Sequence, residues 1–520
     1  MNDTTPDVYL RRILNSKVYD VAIETPLEEA AALSRKTGCR ILLKREDQQC
    51  VHSFKLRGAY NKMAQLPPDA LAGGVLAASA GNHAQGVALS AKRLGCQATI
   101  VMPVTTPEIK IASVKSYGAR IVLAGDSYSD AAAEAARLEK EKGFVFIPPY
   151  DDPDVIAGQG TVAMEILRQN PGPLDAVFVP VGGGGLAAGV AVYIKAVRPD
   201  VKVYGVEPVD SDCMARSIEA GRRVTLPEVG LFADGVAVKK PGRLTFALCR
   251  RFLDGIIRVS TDETCAAIKD IFEATRAICE PAGALALAAA KKHIAQTQSR
   301  EAVYACIISG ANMNFDRIRF VSEQTEIGER REAILECRIP ETRGAFKTFI
   351  RTLGNRNITE FNYRYFDPRR AYVFVGLSVT DRAETKRIVE HLAAAKIGTI
   401  DLSDDELAKE HIRHMVGGHT QGIHDEVAYT FEFPERPGAL HDFLDAISNR
   451  WNITLFHYRN HGADHGKVLV GLQVPPKERA AFRRTVKALG YVFRDVTANP
   501  AYRLFLGNRD AADPENQSLR

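Results

Sequence analysis

The chain has 520 residues, 46% hydrophobic and 25% charged, with a net charge of +5. These values describe an ordinary soluble protein of roughly three or four domains, and so small a charge over that length points to no nucleic-acid partner. No apolar run is long enough to span a bilayer. Met1-Asn2-Asp3-Thr4-Thr5 lacks the basic and apolar regions of a secretory signal, and nine cysteines without a CxxC pair suit reduced thiols in the cytoplasm.

The run Ser53-Phe54-Lys55-Leu56-Arg57-Gly58-Ala59 places one lysine in a mostly apolar stretch that opens a helical pattern. A lysine so placed can shed its proton and form a Schiff base with an aldehyde. Lys-Leu-Arg is equally an ordinary amphipathic helix start with a solvated lysine. Up to about Arg331 the chain alternates short β-branched runs with helical stretches. Gly73–Ala78, Ala98–Met102, Arg120–Leu123, Phe144–Ile147, Ala176–Val181, Lys202–Val206 and Val303–Ser309 read as strands. Asp130–Lys142, Thr161–Arg168 and Thr261–Ala274 read as helices. This alternation predicts βαβ crossovers and α/β architecture, with parallel sheet covered on both faces.

Three of these strands run into segments of small residues. The first is Ser79-Ala80-Gly81-Asn82-His83-Ala84-Gln85-Gly86. A helix start there favours an anion such as a substrate carboxylate, and Asn82 could hydrogen-bond a ring oxygen. A plain strand-to-helix turn with a capping Asn fits equally well. The second is Gly182-Gly183-Gly184-Gly185-Leu186, before a helix from Ala187. Four consecutive glycines carry an entropic cost that a close backbone approach to phosphate would explain, against a merely flexible loop. The third is Ser309-Gly310-Ala311-Asn312. Ser309 could partner a pyridine nitrogen at the ligand end of a strand, or could cap a helix.

After Arg331 the sequence repeats itself. Ile339-Pro340-Glu341-x-x-Gly344-Ala345-Phe346-x-x-Phe349 matches Phe433-Pro434-Glu435-x-x-Gly438-Ala439-Leu440-x-x-Phe443. Asn357-Ile358-Thr359-x-Phe361-Asn362-Tyr363-Arg364 matches Asn452-Ile453-Thr454-x-Phe456-His457-Tyr458-Arg459, and Val375-Gly376-Leu377 matches Val470-Gly471-Leu472. Each copy reads strand, helix, strand, strand, helix, strand, the ferredoxin-like βαββαβ unit. His411, His414, His419 and His424 cluster between the copies, without cysteine partners, and no metal is expected there. Trp451 is expected in the core or interface of the second copy. The polar stretch Asp510–Arg520 reads as disordered.

Taken together, the Lys55 run, the Ser79–Gly86 loop, Gly182–Gly185 and Ser309–Asn312 resemble the fold-type II pyridoxal phosphate (PLP) enzymes. More closely they resemble the biosynthetic threonine ammonia-lyase (threonine deaminase) family, whose paired ACT-like subdomains the C-terminal repeat resembles. Asp401–Glu406 and Met415–Gly418 match that family's stretch between the copies. The resemblance implies a PLP-dependent catalytic domain over 1–331 and ACT-like subdomains over 333–405 and 427–498. Lys55 would carry the cofactor, and Gly182, Gly183, Gly184, Gly185 and Leu186 would bind its phosphate. Asn82 would contact the ring oxygen and Ser309 the ring nitrogen. Ser79, Gly81 and His83 would lie where the substrate carboxylate binds.

The resemblance further implies conversion of L-threonine to 2-oxobutanoate and ammonia, with Lys55 taking the α-proton. Isoleucine would inhibit, valine would counteract it, and the assembly would be a homotetramer. Ala80 stands where the related serine racemase carries a serine base, which argues for elimination over racemisation. The acidic residues near Glu207 do not fit the cation-site spacing of relatives, so no required metal is expected. Glu435-Arg436-Pro437-Gly438 matches the family's effector loop better than Glu341-Thr342-Arg343-Gly344. Two alternatives stay open. One is a serine-preferring or catabolic dehydratase, and the other is an inert amino-acid-sensing protein.

Overall fold

The computed structural model describes residues 5–315, 317–328, 332–405, 408, 412–415, 417–420, 422–434, 439–447, 450–459 and 465–506. The loop Glu435–Gly438, His411 and the tail Asp510–Arg520 lie outside the described residues, as do Glu406 and Val416. The chain divides into two compact units, Met1–Gly328 and Glu329–Arg520.

The first unit contains β1 (Leu27–Glu29), β2 (Arg40–Arg45), β3 (Val75–Ala78), β4 (Ala98–Met102), β5 (Arg120–Leu123), β6 (Val145–Phe146), β7 (Ala176–Pro180), β8 (Lys202–Pro208), β9 (Gly255–Val259) and β10 (Val303–Ile308). They form a six-stranded sheet in the order β1-β2-β10-β7-β8-β9 and a four-stranded sheet in the order β5-β4-β3-β6. Every pairing is parallel except the antiparallel edge β1–β2. β3, β7 and β10 are buried along their whole length. That is the continuous apolar pattern a sheet covered on both faces requires.

A cluster of buried charge ties these layers together. Arg57, on the helix Lys55–Met63, has no exposed side-chain surface. Its Nε donates to Glu46 Oε2 at 2.7 Å and its Nη2 to Glu46 Oε1 at 2.8 Å. Nη1 donates to Glu165 Oε1 at 2.6 Å and to Thr161 Oγ1 at 3.1 Å. Lys44 Nζ reaches Glu165 Oε2 at 2.6 Å, the Thr25 carbonyl at 2.6 Å and Gln169 Oε1 at 3.0 Å. Two cations thus face two carboxylates with their donors satisfied, the condition under which buried charge is tolerated. Burial pushes the Glu46 carboxyl up, but Arg57, Lys44 and Thr25 outweigh it and hold the carboxyl below its usual range.

The second unit holds β11 (Glu332–Pro340), β12 (Ile358–Arg364), β13 (Arg370–Ser378) and β14 (Gly398–Asp401), then β15 (Glu426–Pro434), β16 (Asn452–Arg459), β17 (His465–Gln473) and β18 (Val492–Asp495). Helices Ala345–Leu353 and Arg382–Ala394 complete the first βαββαβ copy, and Ala439–Ile447 and Arg479–Ala488 the second. The copies join edge to edge through antiparallel β12–β16, giving one eight-stranded sheet, β14-β11-β13-β12-β16-β17-β15-β18. Phe361 and Phe456 meet edge-on across that seam, with ring centroids 5.2 Å apart.

The repeated Asn-Ile-Thr and Val-Gly-Leu motifs have one physical cause. Thr359 and Thr454 are the extra residues of matching β-bulges, and each hydroxyl donates to the carboxylate of its copy's first strand, Glu332 or Glu426. Gly376 and Gly471 lie opposite these bulges. A Cβ on Gly376 would run into Thr359 Oγ1, and one on Gly471 would sit 2.8 Å from Leu455 Cβ.

The long helix Pro153–Gln169 starts eight residues before the Thr161 expected from sequence. Asp152 caps it through the amides of Asp154 and Val155, and Pro153 takes its first position. Arg57→Leu would leave Glu46 and Glu165 buried, with Lys44 as the remaining cation bonded to Glu165 among the described residues. The expected cost is about 3–5 kcal/mol, read as a lower urea midpoint by circular dichroism. A loss below about 1 kcal/mol would mean that the cluster contributes little.

Candidate active site

The segment before Lys55 is stitched to the end of β10. Ser53 bridges Gly310, the Phe54 amide donates to the Ser309 carbonyl at 3.2 Å, and the Ala311 amide donates to the His52 carbonyl at 2.9 Å. Lys55 is the first residue of its helix. Its Nζ donates to the Pro149 carbonyl at 3.0 Å and ion-pairs with no carboxylate among the described residues. Burial lowers the amine to about 8, with Glu280 pulling weakly the other way. Ser53 Oγ, two residues earlier in the chain, is buried without a hydrogen-bond partner among the described residues.

The loop after β3 leads into the helix Asn82–Leu94, with Gly81 as its N-cap. Gly81 N–H donates to Ser79 Oγ at 3.3 Å, and a Cβ on Gly81 would meet nothing within 4 Å. The site therefore has open space in front of a helix N-terminus. Asn82 Nδ2 donates to Glu280 Oε1 at 2.7 Å, and Asn312 Nδ2 donates to Asn82 Oδ1 at 2.7 Å. Asn82 keeps one further N–H to offer. Burial and Asp234 raise the Glu280 carboxyl to about 7, against the Asn82 bond and Lys110. The His83 ring turns away to the Ile147 carbonyl at 2.8 Å. Burial and Lys55 push it down to about 3, so it is a neutral ring with its own helix amide still available.

β7 leads through Val181 into Gly182–Gly185, and the following helix starts at Gly185, two residues earlier than expected. Gly184 has φ +94°, a backbone conformation that favours glycine. The amides of Gly182, Gly183 and Gly184 find no protein acceptor among the described residues. Those of Gly185 and Leu186 are first-turn helix donors, which have no intrahelical partner. Five adjacent N–H groups at a positive helix end fit a phosphate.

Pro149–Asp152 joins these parts, and sequence reasoning missed it. Pro149 receives the Lys55 amine, and the Tyr150 ring leaves no room for a side chain on Gly183. Asp151 accepts the amides of Arg243, Leu244 and Thr245 at the start of the helix Arg243–Phe252. Only the Asp152-Pro153 step carried a sequence signal. Glu280 and the role of Asn312 were also missed. Glu280 sits in the unremarkable run Cys279-Glu280-Pro281, while Asn312 closed a motif read only for its serine.

Lys55, Asn82, the glycine loop and Ser309 are thus linked through Pro149–Tyr150, Glu280–Gly310 and Phe54. The Glu280 amide donates to the Gly310 carbonyl at 3.0 Å. Glu207 accepts from the amides of Met214 and Ala215 at 2.9 and 2.8 Å, and Asp212 pairs with Arg216 and Arg258. Among the described residues no group of three or more His, Cys, Asp or Glu could hold a metal ion.

An amine of lowered pKa, five free amides at a helix start and strand ends converging from two parallel sheets define an α/β enzyme built for a phosphate-bearing aldehyde. A family model described as pyridoxal-phosphate dependent enzyme matches residues 18–310. One described as the C-terminal regulatory domain of threonine dehydratase matches twice, at 323–412 and 417–506. The biosynthetic L-threonine dehydratase of Burkholderia multivorans is 56% identical over 501 residues, covering 96% of this chain and 99% of that protein. The Escherichia coli enzyme of the same description is 51% identical over 499 residues, covering 96% and 97%. Processed threonine deaminase isoform 2 from Solanum lycopersicum superposes with TM-score 0.61 at 48% identity, over 62% of this chain and 88% of that one. The chain belongs to the biosynthetic threonine dehydratase family of PLP-dependent enzymes.

Lys55 has an ordinary pKa of 10.5 and one of about 8 in the fold. Between those values the unfolded chain binds the extra proton. The residue's burial penalty is therefore full below about pH 8 and fades as pH rises toward 10.5. Aldehyde capture by the cofactor-stripped protein should accordingly rise with a midpoint near pH 8 and vanish in Lys55→Ala. A midpoint near 10 would mean a solvated amine.

Proposed function

We propose that this chain converts L-threonine to 2-oxobutanoate and ammonia, as the first step of isoleucine biosynthesis, under feedback control. The observation that carries this reading is the buried Lys55 amine, ion-paired with no carboxylate among the described residues and bonded to the carbonyl of Pro149, whose neighbour Tyr150 packs on the glycine loop. PLP bound there supplies an aldehyde for amine exchange and an electron sink that acidifies the substrate α-carbon. Lys55 would hold the cofactor, and its amine, with a pKa of about 8, is suited to take the proton from the substrate Cα. Gly182, Gly183, Gly184, Gly185 and Leu186 hold the phosphate through their amides. Asn82 would donate its remaining N–H to the ring oxygen, its side chain being fixed by Glu280 and Asn312. Ser309, buried just past the end of β10, would partner the ring nitrogen as a neutral group. Ser79, Gly81 and His83 border the carboxylate site, His83 through its backbone amide.

Ala80 presents a methyl group and offers no proton to a second face of the substrate, which supports elimination over racemisation. Within this reading the catalytic domain spans 1–331. The copies at 333–405 and 427–498 bind amino-acid effectors, isoleucine inhibiting and valine relieving. Coupling of about 1–3 kcal/mol between the sites would suffice. A homotetramer in the cytoplasm completes the proposal. All nine cysteines are free, which suits a reducing compartment, and among the described residues no helix is long and apolar enough to cross a membrane.

The test is 2-oxo acid production by the full chain from threonine and from serine, with and without isoleucine. Threonine should be the better substrate, and isoleucine should suppress turnover. Lys55→Ala should lose both turnover and the visible band of lysine-bound cofactor. If Lys55→Ala retains them, the reading is wrong. A serine preference would move the assignment to a serine dehydratase.

A further inference from the structure

Gly185 opens the helix and the Gly184 carbonyl accepts the Ala188 amide at 2.8 Å, but glycines at 182 and 183 leave their peptide planes free to turn, so something else must aim the amides that follow them. Three successive carbonyls of the loop are each met by a side-chain donor. Cys213 Sγ lies 3.9 Å from Gly182 O, Thr245 Oγ1 lies 2.6 Å from Gly183 O, and Cys249 Sγ lies 3.8 Å from Gly184 O. In a trans peptide the N–H of the next residue points opposite to the carbonyl. A donor on the Gly182 or Gly183 carbonyl therefore turns the N–H of Gly183 or Gly184 the opposite way, while the Gly184 carbonyl, and with it the Gly185 N–H, is set mainly by the Ala188 amide at 2.8 Å.

The tethers are unequal. Thiols are weak donors, and their distances here are long. The Thr245 hydroxyl is buried and close, and Gly183 O has otherwise only the Gly242 amide at 3.4 Å. Thr245 and Cys249 are four residues apart, on one face of the helix Arg243–Phe252. Asp151 holds the N-terminus of that helix through three amides, and Tyr150, its neighbour, covers Gly183. A Cβ on Gly184 would lie 3.0 Å from Thr245 Cβ, so loop and helix are in direct contact.

We propose that Thr245 is a positioning residue that sets the phosphate affinity of the glycine loop by fixing the Gly183 peptide plane, with Cys213 and Cys249 as weaker supports. The proposal rests on the assignment of PLP to Lys55 and this loop. Its signature is selectivity for the phosphate end of the cofactor. Thr245→Val keeps the shape and removes the donor. Thr245→Ser keeps the donor, and Thr245→Cys keeps a weak one.

Each variant, stripped of cofactor and checked by thermal melting, is titrated with PLP and with pyridoxal, which lacks the phosphate, by the visible band. Thr245→Val is expected to weaken PLP about tenfold and leave pyridoxal unchanged. Thr245→Ser should match the parent, and Thr245→Cys should fall between. Should Thr245→Val fail to fold, the comparison of Thr245→Cys with Thr245→Ser decides. Unchanged PLP affinity, or equal losses for PLP and pyridoxal, would overturn the proposal. If the parent chain binds neither compound, the assignment of PLP itself fails, and this proposal fails with it.

Discussion

A guanidinium with no exposed surface fixes where Lys55 can be. Arg57 sits two residues along the same helix and spreads its donors over Glu46, Glu165 and Thr161. Those partners come from the turn after β2 and from the helix Pro153–Gln169. A charge buried this deeply tolerates only an arrangement in which every donor is answered. The helix carrying Lys55 therefore has little freedom to slide or rotate. Lys55 itself is the opposite case, a buried amine with no ion-pair partner among the described residues, and burial outweighs the pull of Glu280 to make it a weaker base.

The same division between held and free groups recurs at the ligand end. Asn82 is gripped by Glu280 and Asn312, and the His83 ring is turned inward, while helix-start amides are left without acceptors. Rigid side chains behind and unpaired backbone donors in front are what preorganised recognition of an anionic cofactor or substrate requires. Pro149–Asp152 links the lysine, the glycine loop and two helix starts through a carbonyl, an aromatic ring and two carboxylates.

In the second unit the controlling feature is the seam between β12 and β16. Two copies that could each have formed a separate four-stranded sheet share one, so Phe361 and Phe456 pack into a common core. Arg364 of the first copy pairs with Glu426 of the second at 2.6 Å, and Tyr502 donates to the same carboxylate. The two copies are thus joined by a strand seam, a common core and a buried ion pair.

Local pattern was enough for much of this. The bounds of β4 and β5, the βαββαβ order of both copies and the strand-end position of the small-residue motifs follow from hydrophobic period and repeat spacing, which are local properties of the chain. β1, β2 and β9 were not distinguished by sequence, and β1 and β9 are short and only partly buried. The sequence by itself determined which residues could do chemistry: one lysine at a helix start, four glycines and a serine at strand ends. The tertiary structure alone decided that Lys55 ion-pairs with no carboxylate among the described residues and that Glu280 holds Asn82. It also decided that helices far along the chain aim the glycine amides and that the two copies fuse. These outcomes depend on burial and on partners separated by tens to hundreds of residues, and neither is encoded in any local stretch.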